Sequence, residues 1–170
     1  MSKNLIAAAV NATKKLPAGV RSTLLSTAFG KIVPFVGTAG VRYELLTPEK
    51  VICTIKNRRP IQNHINGVHA VAMGLIAETA TGFVTAMNLP DGEGMVLIKS
   101  MKLDYKKLSK GDMTAVATLT ASQRELIRTT PKGEVTVSCV ITDESGQSPV
   151  ECEMVWAWVP KKKKASSKAA

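Results

Sequence analysis

The chain has 170 residues, 45% of them hydrophobic and 21% charged, with a formal net charge of +10; that is apolar material for one core and one ordinary domain. Three cysteines, Cys53, Cys139 and Cys152, stand at unpatterned spacing without a C-x-x-C, which argues against a disulfide-stapled scaffold or a zinc site and suits reduced, buried thiols of a cytoplasmic protein. Residues 1–60 hold ten basic and two acidic side chains, residues 61–160 eight and eleven, and the last ten residues five lysines, so the body of the chain is not a basic nucleic-acid module.

The first 43 residues contain no acid, and the opening apolar run, Leu5 to Val10, is shorter than the core of a secretory signal. Composition alone also fits an organelle transit peptide. The stretch STLLSTAFGKIVPFV, however, continues the apolar pattern as packing helices would. Two short helices are expected over 4–15 and 18–30, separated by Leu16-Pro17 and closed by Gly30 and Pro34. Strands 41–47 and 51–57 form a hairpin through Pro48-Glu49-Lys50, and Arg58-Arg59-Pro60 ends it. A long apolar helix follows, stopped by the turn Pro90 to Gly94. Strands over 95–105, 112–122, 133–142 and 149–159, divided by turn-forming segments, read as a four-strand meander. The expected class is therefore α+β, parsed as a helical extension (1–37), a main domain (38–160) and a solvated, disordered lysine-rich tail (161–170). No segment is expected to span a membrane. Trp156 and Trp158 share one face of the last strand, suited to core or subunit packing.

Glu78 is the only formally charged residue between Arg59 and Asp91. Apolar residues occupy two adjacent rows, Val71, Leu75, Phe83, Met87 and Ala72, Ile76, Ala80, Val84, a stripe wide enough for a helix wrapped by a sheet. At 100° per residue Glu78 falls on the remaining face, beside Gly74, Thr81, Gly82 and Thr85, whose small side chains leave space for a ligand. A carboxylate so placed has its pKa raised by desolvation and suits a general base; the plainer alternative is a solvent-facing acid on an amphipathic helix. His69 precedes Glu78 by nine residues, about 13.5 Å of helical rise and the opposite face, so the two meet only across a two-fold axis. Asn63, Asn66 and Gly67 precede the helix and offer caps, or free N–H groups for an oxyanion at the positive dipole end. His64 and His69 lack a third metal ligand, so no metal is expected.

Asn63, Gly67, His69, Ala70 and the run Glu78-Thr79-Ala80 resemble, in identity and spacing, the signature of hotdog-fold thioesterases of the phenylacetyl-CoA thioesterase type. The segment RNHINGVHAVAMGLIAETATG is most similar to an uncharacterised thioesterase-like group of that superfamily bearing extra N-terminal helices. The resemblance covers about residues 38–160. It implies a hotdog fold, a homodimer or dimer of dimers, and an acyl-CoA or acyl-carrier-protein thioester bound at the dimer interface, with no cofactor. It further implies that the Ala70 N–H polarises the thioester carbonyl, that Asn63 and His69 position substrate or water, and that the partner's Glu78 activates water or attacks the carbonyl itself. Gly67, Gly74, Thr81 and Gly82 then face the substrate, and Arg58, Arg59, Lys99, Lys102, Lys106, Lys107 and Lys110 are candidates for a basic rim on coenzyme A phosphates. One departure is that the family's His-Gly-Gly is here His69-Ala70-Val71, which keeps the N–H groups but narrows the approach. An auxiliary Ser or Thr of some relatives has no clear counterpart beyond Ser100. The alternatives are a noncatalytic hotdog that binds an acyl chain or a protein and, ranked last, a dehydratase, whose usual proline-rich loop after the histidine is missing.

Overall fold

A computed structural model describes residues 4–90 and 94–161. Residues 162–170 of the lysine tail, and Asp91 to Glu93 of the turn, lie outside the described residues.

Three helices come first: α1 (Leu5–Ala12), α2 (Ala18–Ile32) and α3 (Pro34–Ala39). The third is not foreseen by the sequence reading, which takes Pro34 as a stop. Proline at the first helical position loses no needed N–H and presets the helical φ, so Pro34 opens α3 instead. The strands are β1 (Arg42–Leu46), β2 (Lys50–Ile55), β3 (Gly94–Tyr105), β4 (Met113–Thr118), β5 (Gly133–Asp143) and β6 (Val150–Pro160), with α4 (Ala70–Met87) between β2 and β3 and α5 (Ala121–Thr129) after β4. The expected strand 112–122 thus ends at Thr118. Thr120 and Gln123 form a reciprocal capping box that starts α5, a T-x-x-Q signal legible in the sequence.

All six strands form one antiparallel sheet in the order β1-β2-β4-β5-β6-β3. The expected meander is therefore corrected. β3 does not neighbour β4 but crosses to the far edge and pairs with β6 from Gly94↔Pro160 to Tyr105↔Val150, with one register shift between Ile98 and Ser100. Packing on α4 decides this, because β3 in that position completes the wrap: α4 contacts β2, β3, β4, β5 and β6.

Ile76, Ala77, Ala80 and Val84 of α4 are fully buried against inward side chains such as Val51, Ala115, Ile141 and Met154. Period-two alternation in the strands supplies one face and the wide apolar stripe of α4 the other. By length and mean hydropathy (1.4) α4 could cross a membrane, and it is the one described helix of which this is true; 61% of it is buried inside the protein. The N-terminal helices share this core. Leu25, Phe29 and Val36 belong to the same buried cluster, and Phe29, Tyr43 and Phe83 pack ring against ring across α2, β1 and α4, with centroids 4.6–5.3 Å apart. Trp156 and Trp158 are both buried, and each indole N–H is satisfied, by Thr81 Oγ1 (2.9 Å) and Thr130 O (2.7 Å) respectively.

Candidate active site

The loop before α4 builds the helix start. Asn63 Oδ1 accepts from the N–H of Ile65 (3.1 Å) and of Gly67 (3.0 Å), and an isolated bridge, Gln62↔Val68, closes the loop. Asn66 takes the left-handed conformation at φ 62°, which asparagine tolerates better than most residues. Asn63 and Asn66 are thus turn formers; neither caps α4.

His69 is the cap. Its Nδ1 accepts from the Val71 N–H at 3.2 Å, which leaves Nε2 carrying the proton in the neutral ring and facing outward as a donor. The carbonyl of Ala70 accepts from Tyr105 Oη at 2.8 Å, tying β3 to the first turn. For the Ala70 N–H no acceptor lies among the described residues, so it remains a donor at the positive end of an 18-residue helix. Sequence reasoning missed Tyr105, since nothing in the local pattern ties β3 to this turn. Beside this end lies an apolar pocket of about 350 Å³, walled by Phe35 and Ala39 of α3, Ile61, His69, Val71 and Leu75.

Glu78 lies two turns further on, half-buried at the edge of a second cavity of about 230 Å³ lined by Ile6, Val36, Gly82, Phe83, Val96 and Trp156. Burial pushes its carboxyl above the ordinary range. Nearby, burial raises the Tyr43 hydroxyl, with smaller contributions from Cys53 and Glu78. Tyr43 Oη is buried with no hydrogen-bond partner among the described residues. Within one chain His69 and Glu78 line different cavities, as their spacing requires.

The remaining expected contacts divide. Gly82 lines the Glu78 cavity, and a Cβ there would come within 2.7 Å of the Trp156 ring. Gly74 is buried under β3, where a Cβ would meet Leu103 Cδ1 at 2.9 Å. Thr81 is buried and its hydroxyl is committed, donating to Ala77 O (2.7 Å) and accepting from Trp156. Thr85, expected on the open face, is also fully buried. The structure therefore gives Gly74, Thr81 and Thr85 packing duties, because β3 and β6 cover the face that a helical wheel leaves open. Gly67 packs on Ser109. Arg58 donates to Thr38 O at 3.0 Å and so holds α3, while Arg59 is exposed and does not line the apolar pocket. Lys102 and Lys106 pair with Asp104 and Glu151 at 3.3 and 3.2 Å, and Lys99 pairs with Glu134. His64 is exposed, and no cluster of metal-ligating side chains occurs among the described residues.

A single antiparallel sheet wrapped around one long helix is the hotdog fold, the architecture of thioesterase-family proteins. The chain is similar to a protein of unknown function from Pseudomonas aeruginosa described as a probable thioesterase, with 24% identity and a TM-score of 0.72 over 86% of this chain and 97% of that one. It is also similar to a thioesterase from Haemophilus influenzae (11% identity, TM-score 0.64, 82% and 93% covered) and to a thioesterase family protein from Silicibacter pomeroyi (14%, 0.63, 80% and 96%). Residues 21–159 match the domain of unknown function DUF4442, and the chain belongs to that family. No curated protein matches it.

Proposed function

We propose that the protein hydrolyses an acyl-CoA or acyl-carrier-protein thioester at a site completed by a second copy of the chain. The observation that carries this reading is Glu78: a half-buried carboxylate with raised basicity, at an apolar cavity, on the central helix of a thioesterase-type fold. Glu78 takes a proton from water, and the hydroxide adds to the thioester carbonyl. The resulting oxyanion is held by the Ala70 N–H, and collapse expels the thiolate, which takes up the proton. The outward Nε2–H of His69 is a second donor to the substrate, and Asn63 acts by holding the loop. The pocket walled by α3 is at the lower end of small-ligand site volumes and accepts the acyl group. No cofactor enters.

The second copy is needed because within one chain His69 and Glu78 line different cavities. Edge strand β3 is the surface for it: Met95, Leu97, Met101 and Tyr105 are each more than 40% exposed on a twelve-residue strand whose outer side is unpaired. Free cysteines suit a cytoplasmic setting.

The test is thiol release from a panel of acyl-CoA thioesters, followed with Ellman's reagent. Glu78→Gln should lower kcat/KM by about 100-fold or more while leaving the fold intact. Equal turnover by that variant removes Glu78 from the mechanism. A noncatalytic acyl- or protein-binding hotdog is the second reading, favoured by the side chains of Ala70 and Val71 where the family carries glycines. A co-purified ligand with no turnover on any thioester would support it.

A further inference from the structure

The β5–β6 ladder has a gap. Pairing runs from Gly133↔Trp158 to Val137↔Met154 and resumes at Val140↔Glu151 in the same register. The positions skipped are Ser138 and Cys139 on β5, and Cys152 and Glu153 on β6. That unbroken register sets Cys139 directly opposite Cys152, and the Cys152 thiol donates to the Cys139 carbonyl at 3.4 Å. Both side chains point inward with the core-facing residues of their strands, yet both are only half-buried, whereas Cys53 is fully buried.

We propose that Cys139 and Cys152 form a reversible intrachain disulfide on exposure to a peroxide, which makes this strand pair a redox modification site. Opposed residues on antiparallel strands have Cβ atoms about 4.5–5.5 Å apart, and a disulfide needs about 3.5–4.5 Å. The required approach is thus about 1 Å, at the point where the β5–β6 ladder is interrupted. The two thiols face each other across the strand pair, and they differ in acidity. The hydrogen bond from Cys139 holds the Cys152 thiol below its ordinary pKa, while the same bond and burial push Cys139 up. Cys152 is therefore the attacking thiolate and Cys139 the resolving thiol.

The Cys152 thiolate attacks one peroxide oxygen, the O–O bond breaks, and the leaving hydroxide takes a proton to become water. The resulting sulfenic acid is attacked at sulfur by Cys139, whose proton leaves with the displaced hydroxyl as a second water. Two thiols lose two electrons and the peroxide gains them. The β3 neighbour of Cys152 is Leu103, which rests on Gly74 of α4, so the link forms beneath the first half of the central helix.

The experiment uses the full chain with hydrogen peroxide. Thiols are counted with Ellman's reagent in denaturant before and after treatment, and proteolytic peptides are mapped by mass spectrometry. The expected count falls from three to one, with one peptide pair joining Cys139 to Cys152, and returns to three with dithiothreitol. Cys139→Ser should stop at a sulfenic acid on Cys152, trapped by dimedone, and Cys152→Ser should keep both remaining thiols. Three surviving thiols in the unmodified chain, a link to Cys53, or a link between two chains would each overturn the proposal. The unmodified chain alone decides between these outcomes, so a variant that fails to fold leaves the test intact.

Discussion

Two elements carry much of the chain's apolar surface, and they stand in opposite situations. The helix α4 is wrapped by five strands and 61% buried, with Ile76, Ala77, Ala80 and Val84 sealed from solvent. Strand β3 is as rich in large apolar residues, yet Met95 and Leu97 are each 46% exposed and Met101 44%. In α4 the hydrophobicity is spent inside one chain. In β3 it faces outward along an unpaired edge, the arrangement that natural proteins otherwise blunt with charge or proline. Composition is therefore a poor guide to burial, and the far-edge position of β3 is what separates the two.

Matched truncations would break this comparison most sharply. Ile76→Ala should lower unfolding free energy by about 2–5 kcal/mol in urea titrations. Leu97→Ala should change the dilute, dissociated chain by about 0.5 kcal/mol or less. In the same pair of elements, if two copies associate through β3 as proposed, Leu97→Lys should raise the dissociation constant of that pair at least about tenfold by sedimentation velocity, because it buries a charge at the edge. An unchanged sedimentation profile would take β3 out of the interface. Next in size, Gly82→Val should cost about 1–3 kcal/mol, since the added Cβ meets the Trp156 ring. A smaller loss, about 1 kcal/mol, is expected for Thr120→Ala, which removes the capping box of α5.

The last prediction concerns pH. Because the Glu78 carboxyl has a raised folded pKa, the folded state holds its proton more tightly than the unfolded one. That stabilisation is complete below the ordinary carboxylate value and is lost as pH rises through the folded pKa. Glu78→Gln should then unfold at higher denaturant than the unmodified chain at neutral pH, with the gap closing as pH falls below the ordinary range. A constant gap would mean that Glu78 is not desolvated. If Glu78 is also the base, the acidic limb of the rate profile should lie above an ordinary carboxylate titration.

Much of the fold was legible because its signals are local. The alternation in β2, β5 and β6, the wide stripe of α4 and its lone acid are periodicities that a chain displays before it folds. Pro34 and Thr120 mark helix starts in the same way, although Pro34 is equally a stop signal for the helix before it and Thr120 lies at the end of an alternating, strand-like run. The placement of β3 was not legible, since pairing partners distant in sequence are chosen by what covers α4 best. The candidate site divides along the same line. Glu78 stood out by charge, and the start of α4 by its loop. That His69 would cap the helix through Nδ1, that Tyr105 would hold the Ala70 carbonyl, and that Gly74 and Thr81 would pack against β3 and β6 instead of lining open space all depend on strands arriving from elsewhere.

By itself, the order of residues determined most of the helices and strands, the apolar stripe of α4 and the lone acid on that helix, because side-chain chemistry and backbone periodicity act over a few residues. Only the tertiary structure decided which edge stays open, which hydroxyls and glycines are consumed by packing, and that Cys139 stands opposite Cys152, because those contacts join residues whose separation along the chain carries no signal of their meeting.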